Sequence, residues 1–279
     1  MSITVNTNMQ AIRVQGNLNS ATTKMNTAME RMSSGYRINR AKDDAAGYAV
    51  SATFSKNISG ASIAKNNVAM GNDLLATAEG SLGVIKSNLE RIRDLTEQAA
   101  NGTYSTEDLK GIATEVEERL KQIQHQASHT NFNGKELLDG SQSAGISLQV
   151  GSEAGNTLTL EGSIFAAASY SNLNSLSTTI QSGNTQNISA ALSTIDTDIT
   201  DVINRTTKIG AASNRLDALS DSLDVQKTNM TSALSTVKDA DIAEESAKYV
   251  QQQILQSASA TLLTQANSAP QIALTLIQG

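Results

Sequence analysis

The sequence predicts a mainly α fold: long helices packed as a coiled-coil rod, a small β-hairpin, and N- and C-terminal helices paired as an inner coiled coil. Three observations lead to this prediction. An apolar residue recurs at every seventh position from 188 to 237, other segments space apolar residues alternately three and four apart, and one short stretch alternates apolar with polar residues. Heptad spacing is typical of helices packed side by side, and alternation is typical of strands.

The longest pattern is one uninterrupted helical stripe, whose members are Ile188, Ile195, Val202, Ile209, Leu216, Leu223, Met230 and Val237. Proline is absent from this stretch, and Gly210 lowers helix stability by about 1 kcal/mol relative to Ala without ending the helix. At 1.5 Å per residue, these residues form a helix of roughly 75 Å. A helix of that length needs other long helices beside it.

A second helical seam supplies the expected partner. It runs through Ala61, Ala64, Val68, Gly71, Leu75, Ala78, Leu82, Ile85, Leu89 and Ile92, and it stops at the turn dipeptide Asn101-Gly102. We expect the two helices to pack through residues that we call the rod seam: Leu75, Leu82, Ile85, Leu89 and Ile92 with Ile195, Val202, Ile209, Leu216, Leu223 and Met230. A third helix, opened by a capping box at Ser105 and Asp108, directs Leu109, Ile112, Val116, Leu120 and Ile123 inward.

The pattern then changes to a period of two. Ile146, Leu148 and Val150 alternate with polar residues, and alternation resumes at Leu158 and Leu160 after a Gly-containing loop. This predicts a β-hairpin near residues 145–161. Residues 162–187 are rich in Ser, Thr, Asn and Ala, which predicts an outward loop or a short helix. The Ser and Thr hydroxyls within 169–185 are either solvated or acceptors of O-linked sugars.

The two ends of the chain match each other. Each is an amphipathic helix, and we expect an inner coiled-coil seam formed by Ala11, Val14, Leu18, Ala21, Met25, Ala28 and Met32 with Ala243, Ala247, Val250, Ile254, Ala258 and Leu262. Residues 1–60 carry a net charge of +4 and residues 238–279 carry −2, which favours their pairing. Because six of these thirteen seam residues are small alanines, we expect residues 1 to about 42 and 238–279 to be largely disordered in the monomer and to fold on assembly. The predicted domains are 1–44 with 238–279, and the rod domain 45–237.

Composition excludes several classes of protein. The net charge of −6 argues against a nucleic-acid partner. No apolar run reaches the ~18 residues of a membrane span, and residues 1–10 do not resemble a cleavable secretion signal.

His125 and His129 share a helical face, but Gln126 stands where a metalloprotease motif requires Glu. Asp43-Asp44 reads as a pair of helix-terminal acids. We therefore expect no catalytic residue, no metal site and no cofactor.

Specific motifs resemble bacterial flagellin along nearly the whole chain. They are Arg31 to Ser51 (RMSSGYRINRAKDDAAGYAVS), Leu89 to Leu95 (LERIRDL), Ala99 to Thr103 (AANGT), Asn131 to Gly134 (NFNG), Asp239 to Asp241 (DAD), Gln252 to Leu255 (QQIL), Gln265 to Asn267 (QAN) and Pro270-Gln271. The resemblance implies a subunit that assembles with itself into the flagellar filament, outside the cell and after export unfolded. Only the 26 residues 162–187 separate the predicted hairpin from the long helix, so the outer variable domains of the family are expected to be absent.

The resemblance also implies partners. These are an export chaperone at the C-terminal helix, the filament cap and the hook-filament junction proteins. Some members of the family bind Toll-like receptor 5, and the matching contact positions here are Arg91, Leu95 and Glu115. Two alternatives stay open: a hook-filament junction protein, which should resemble flagellin less through residues 89–103, and a cytoplasmic helical signalling rod of the chemoreceptor type, which would lack the hairpin and the matched ends.

Overall fold

The fold is mainly α, as predicted, with 76% of the residues in helices. The computed structural model describes residues 7–167 and 173–278. In chain order its elements are α1 (Met9–Ser34), α2 (Ala45–Ala99), α3 (Thr106–His129), β1 (Asn131–Phe132), β2 (Lys135–Glu136), β3 (Ile146–Gln149), β4 (Thr157–Leu160), a 3₁₀ turn (Gly162–Ile164), α4 (Leu176–Gln181), α5 (Thr185–Lys238) and α6 (Ile242–Gln278).

The helix ends follow local chemistry. Asn8 caps α1 by accepting a hydrogen bond from the Ala11 backbone N–H. Gly35, at φ 74°, ends α1 in the left-handed conformation that glycine adopts without strain. Ser105 and Asp108 form the predicted reciprocal capping box of α3. The last helix continues beyond the predicted seam and through Pro270, since the loss of one backbone donor weakens a helix without always ending it.

The chain divides into two compact units: residues 1–56 with 229–279, and residues 57–228. Both boundaries lie inside helices, α2 and α5, whereas the sequence places them at helix ends, after residues 44 and 237. Because α2 and α5 continue without interruption through these points, the helices themselves offer no break in the chain. The division at the helix ends stays a prediction.

Polar pairs fix the antiparallel register of α2 and α5 in the 57–228 unit. Lys65 pairs with Asp224 at 2.5 Å, Asn72 Nδ2 donates to Asp217 Oδ1 at 2.8 Å, and Arg93 pairs with Asp196 at 2.6 Å. The two residue numbers add up to the same total in all three pairs. This is expected when two helices are antiparallel and keep one register along their length. Exposed pairs of this kind add little stability, so their contribution here is the register.

The rod seam lies in the core of the same unit. Leu75, Leu82, Ile85, Leu89 and Ile92 are at most 2% exposed, and Ile195, Val202, Ile209, Leu216 and Leu223 are at most 7% exposed. Met230, the last predicted member, is half-buried and belongs to the other compact unit. The third helix lies antiparallel to α2, with contacts from Arg91 to Glu115, from Arg119 to Asn88 and from Gln126 to Ser81.

The predicted hairpin is present as β3 and β4, paired from Ile146↔Leu160 to Gln149↔Thr157. It packs against α2 at two glycines. A Cβ on Gly71 would lie 2.5 Å from Leu148 Cδ1, and one on Gly60 would lie 2.4 Å from Ser152 Cβ. Gly71 therefore stands in the second seam because a strand side chain occupies the space that a larger residue would need.

A second, smaller hairpin was not predicted. Strands β1 and β2 pair across the turn Asn133-Gly134, where both residues have positive φ (50° and 78°). An Asn-Gly pair with this geometry is the strongest local signal for a two-residue hairpin. The flanking strands are only two residues long, and alternation cannot be read from so short a segment.

The described part of 162–187 is not simply an outward loop. Ile164, Phe165, Leu173, Leu176 and Ile180 are each at most 2% exposed and belong to the core of the 57–228 unit. The expectation of an outward loop is therefore wrong for these residues, because their apolar side chains fill space beside α3 and α5. Part of the Ser/Thr-rich stretch, residues 168–172, lies outside the described residues.

Candidate assembly surfaces and receptor-contact site

The terminal helices α1 and α6 pack against each other in the unit formed by residues 1–56 and 229–279. The face of α1 toward α6 is the predicted one. Ala21 and Ala28 are 4% and 3% exposed, and the other members, Ala11, Val14, Leu18, Met25 and Met32, are half-buried. The structure describes α1 and α6 as paired helices in the single chain; the expected disorder of the ends before assembly stays a prediction.

The face of α6 toward α1 is largely polar. Beside the half-buried Ser246 and Lys248, its buried and half-buried positions are spaced alternately four and three apart: Glu245, Tyr249, Gln252, Gln256, Ser259, Leu263 and Ala266. Gln256 Nε2 donates to Thr22 Oγ1 at 3.0 Å, and Asn8 Nδ2 donates to the Ala266 carbonyl at 2.7 Å. Hydrogen bonds therefore help to hold α6 on α1, where burial of apolar α6 residues was expected to hold it.

The predicted inner seam of α6 faces solvent instead. Ala243, Ala247, Val250, Ile254, Ala258 and Leu262 are all exposed, and the fractions for Val250, Ile254 and Leu262 are 51%, 63% and 58%. The prediction that these residues face α1 is therefore wrong for the single chain. Two neighbouring rows of α6 share nearly the same spacing, and the polar row finds hydrogen-bond partners on α1. We call the exposed set the outer row of α6.

A charge cluster stands at one end of the α1–α6 pair. Glu245, whose side chain is 6% exposed, lies 3.3 Å from Arg31 and 3.0 Å from Lys248. Hydrogen bonds from Lys248 to Glu244 and Glu245 raise the pKa of that ammonium group. A buried carboxylate requires such partners, so this cluster holds α6 in one register on α1.

Replacing Arg31 with Ala is expected to loosen the pair. Glu245 would keep only Lys248, and losing one charged partner of a buried group costs about 1–3 kcal/mol. Amide hydrogen exchange of residues 9–34 in the monomer should accelerate. Arg13→Ala, at an exposed position of the same helix, is the matched control and should exchange like the wild type. Equal exchange rates in the two variants would show that the Arg31 contact is dispensable.

The connectors at the ends of these helices are bonded to each other. Tyr36 and Asp239 form an antiparallel bridge, and the Arg37 backbone N–H donates to the Lys238 carbonyl at 2.7 Å. The Lys238 ammonium lies 4.2 Å from the centre of the Tyr36 ring, a cation–π contact. The chain path from α1 to α2 is therefore fixed to the path from α5 to α6.

One acid of the first connector, Asp44, acts at a helix end, as predicted, whereas Asp43 acts within the connector. Asp44 Oδ1 accepts from the Gly47 N–H in the first turn of α2 at 2.9 Å. Asp43 Oδ2 accepts from the Asn39 and Arg40 amides. The hydrogen bond from the Arg40 amide is the main cause of a lowered Asp43 pKa.

Two of the three predicted receptor-contact residues form one exposed ion pair. Arg91 Nε donates to Glu115 Oε1 at 3.0 Å and Nη2 donates to Oε2 at 3.4 Å, and the side chains are 48% and 38% exposed. This two-point contact raises the pKa of Arg91 and lowers that of Glu115. Arg119 lies 3.7 Å from the same carboxylate. Both charges are therefore held in a fixed position at the surface of α2 and α3.

Leu95, the third predicted contact, is 3% exposed and belongs to the core. Its assignment as a receptor contact is wrong for this structure, because no receptor could reach the side chain without opening the helix packing. Leu95 lies three residues after Ile92 and four before Ala99, both of which are buried. It therefore continues the seam of α2.

Other candidate sites do not assemble. The His125 and His129 rings stack with centroids 4.2 Å apart, and the described part of the chain has no group of three or more His, Cys, Asp or Glu residues placed to hold a metal ion. Within residues 7–167 and 173–278, no helix has both the length and the apolarity needed to cross a membrane.

The fold and these surfaces define a class: mainly helical proteins whose two terminal helices pair with each other, expose an apolar row, and connect to long middle helices that carry a small hairpin. Comparison with known proteins names the family within this class. Residues 5–143 match the model of the bacterial flagellin N-terminal helical region, and residues 192–277 match that of the bacterial flagellin C-terminal helical region. The chain belongs to the bacterial flagellin family.

Individual relatives agree with this membership. Phase 1 flagellin of Salmonella naestved and flagellin of Salmonella enteritidis are each 43% identical over 161 residues, which cover 58% of this chain. The match spans 32% of each relative, about a third of its length. A solved structure of a putative flagellar hook-associated protein from Vibrio parahaemolyticus matches 71% of this chain and 100% of that chain, with a TM-score of 0.61 at 19% identity, which shows a shared fold.

Proposed function

We propose that the chain is a non-enzymatic structural subunit that assembles with itself into the helical filament of the bacterial flagellum, outside the cell. The observation that carries the proposal is the outer row of α6. A row of apolar side chains on a paired helix is left exposed, while a polar row of the same helix is buried. Exposed contiguous apolar surface marks an interaction site.

The proposed polymer is open. The outer row belongs to α6 alone, and in the proposed filament it would contact a different surface of the next copy. Contacts between unlike surfaces do not close on themselves unless a rotation returns to its start, so they generate helical polymers. Family membership supports the same conclusion, and it favours a filament subunit over a hook-filament junction protein, since the likeness to a hook-associated structure at 19% identity concerns the fold only.

Negative-stain electron microscopy of the purified protein tests this function. We expect tubular filaments when the monomer is incubated at high concentration, or when it is seeded with short filament fragments. The same preparation at low concentration, examined by sedimentation, should be monomeric. Protein that stays monomeric with seeds at every concentration, or that forms closed rings, would contradict the proposal.

The proposed partners follow from the same row. Before assembly, an exposed apolar row on α6 needs cover, which the export chaperone of this family would supply. During assembly, the filament cap and the junction proteins would contact the same terminal helices. Interaction measurements with the α6 outer-row variants can test both ideas. The signalling-rod alternative is not supported, because the chain has both the hairpin and the paired terminal helices that such a rod lacks.

A second role, recognition by Toll-like receptor 5, is proposed for Arg91 and Glu115 only. The observation that favours it is the exposed two-point ion pair between α2 and α3, which presents a guanidinium in one orientation. Arginine is enriched among residues that dominate binding at protein interfaces. The buried Leu95 would act indirectly, by keeping α2 in place under Arg91.

Replacing Arg91 with Ala is expected to weaken receptor signalling by monomer about thirtyfold or more, since truncating an anchor arginine can cost over 2 kcal/mol. A dose–response curve in receptor-expressing reporter cells measures this change. Arg93→Ala is the matched control: its side chain is 39% exposed and pairs with Asp196 on α5 instead. The proposed role of Arg91 would be rejected if both variants signalled as the wild type does.

A further inference from the structure

Two charged side chains of α5 lie inside the 57–228 unit, and the assembly function does not explain them. Asp198 is 6% exposed and Arg205 is 5% exposed. Aspartate and arginine are almost never buried unless they are paired. The two residues are seven positions apart, so they lie on the same side of the helix two turns from each other.

Arg205 anchors the backbone that follows β4. Its Nη1 donates to the Ala166 carbonyl at 2.5 Å and its Nη2 to the Ala167 carbonyl at 3.1 Å. Asp201 lies 2.6 Å from the same Nη2 and balances the charge. The two carbonyls come just after Phe165, which is fully buried. The guanidinium therefore holds residues 161–167 against α5.

Within the described structure, Asp198, unlike Arg205, has a buried polar atom that neither a hydrogen bond nor an ion pair of its side chain compensates. Its Oδ2 atom is buried without a hydrogen-bond partner among the described residues, and so is the Nε–H of Arg205. Burial raises the pKa of Asp198 to about 6; repulsion from Asp201 adds to the rise and attraction to Arg205 opposes it. An acceptor and a donor of opposite charge thus lie on one helix face, both unused.

Charged groups of the neighbouring elements are engaged elsewhere. Glu161, at the end of β4, pairs with Lys208 at 3.4 Å. On α2, Arg93 pairs with Asp196 at 2.6 Å. Residues 162–167 and 173–184 contain no ionisable side chain. Asp201 and Arg205 are therefore the charges that act on Asp198 within the described structure.

We propose that the protonation state of Asp198 controls, through Arg205, whether residues 161–167 stay bound to α5. We call this pH-dependent switch the latch. When Asp198 is protonated, the neutral carboxyl group stays buried and Arg205 stays on the two carbonyls. When Asp198 ionises, the buried carboxylate needs a donor or water. Either the Arg205 guanidinium turns its Nε–H toward Asp198, or the segment opens and lets water enter. Both responses detach the carbonyls of Ala166 and Ala167.

The direction of the pH effect follows from linkage. The pKa of Asp198 in the folded chain, about 6, lies above the ordinary value of 3.8. We call the state with Arg205 on the two carbonyls closed and the state without these bonds open. Between pH 3.8 and about pH 6, the closed state therefore binds more protons than the open state. Its stability increases as the pH falls through 6 and decreases as the pH rises through 6. The segment should be held more tightly in mild acid than at neutral pH.

Amide hydrogen exchange of the full-length monomer tests the latch. Protection factors for residues 161–167, corrected for intrinsic exchange rates, should fall about tenfold between about pH 5 and about pH 7.5, as the pKa difference dictates. Amides of residues 75–92 in α2 should not change. Asp198→Asn should keep the protection that the wild type has at pH 5, and it should keep it at both pH values.

Asp196→Asn is the matched control, because this residue lies on the same helix but pairs with Arg93. It should retain the full pH dependence. The proposal is overturned if residues 161–167 of the wild type are equally protected at both pH values, or if Asp198→Asn loses protection with pH as the wild type does. Should the Asn variant fail to fold, equal protection of residues 161–167 at both pH values in the wild type and in Asp196→Asn would still overturn the proposal.

Discussion

Replacing Leu216 with Asp is expected to destabilise the 57–228 unit by about 4 kcal/mol or more, a large part of a typical domain's stability. Leu216 is 0% exposed, and its Cδ1 would lie 3.3 Å from a Cβ on Gly71. The new carboxylate would be buried between α2 and α5, where apolar neighbours offer it no donor. Thermal unfolding followed by circular dichroism should show a much lower melting temperature.

Val225→Asp is the control for this experiment. It introduces the same side chain on the same helix, at a residue that is 62% exposed. Surface changes of this kind usually alter the free energy of unfolding by no more than about 0.5 kcal/mol. If the Leu216 variant melted at the temperature of the Val225 variant, α5 would not pack on α2 through this row.

Replacing Ile254 with Asp is expected to abolish filament formation without changing the stability of the monomer. Ile254 is 63% exposed in the single chain, so the change there is a surface substitution. In a filament the outer row would be covered by another copy, and the carboxylate would then be desolvated without a partner. Sedimentation of polymer and thermal unfolding of monomer measure the two effects separately.

Ile254→Leu is the matched control, since it keeps the apolar character and the volume of the side chain. It should polymerise at nearly the wild-type critical concentration. Normal filaments from the Asp variant would exclude the outer row as a contact between copies. Loss of polymer accompanied by a lower monomer melting temperature would instead place Ile254 inside the fold of the single chain.

The long helices were predictable because apolar periodicity reports burial directly. In α2, and in α5 as far as Leu223, the residues that recur every three, four or seven positions are the residues that the core covers. Leu95 could have been assigned in the same way. Its spacing from Ile92 and Ala99 continues the seam, and that spacing is a better guide to its exposure than the family resemblance that suggested a surface role.

The pairing face of α6 could not be predicted from periodicity. Its buried row is made of Glu245, Gln252, Gln256 and other largely polar residues, which are buried only because α1 supplies partners such as Arg31 and Thr22. A pattern of apolar residues along one helix holds no information about such partners. The burial of Arg205 could not be predicted for the same reason, since the carbonyls that it binds belong to the chain that follows β4.

The polar pairs between α2 and α5 restrict how the length of this chain can vary. One residue inserted inside either helix turns everything beyond it by about 100° around the helix axis, which would separate pairs such as Lys65–Asp224 or Arg93–Asp196. Insertions in the exposed turn of residues 182–184, between α4 and α5, leave these pairs untouched, because the turn lies outside both helices of the pairs. Large additions, including foreign sequences fused for display, should therefore be tolerated there and rejected within the helices.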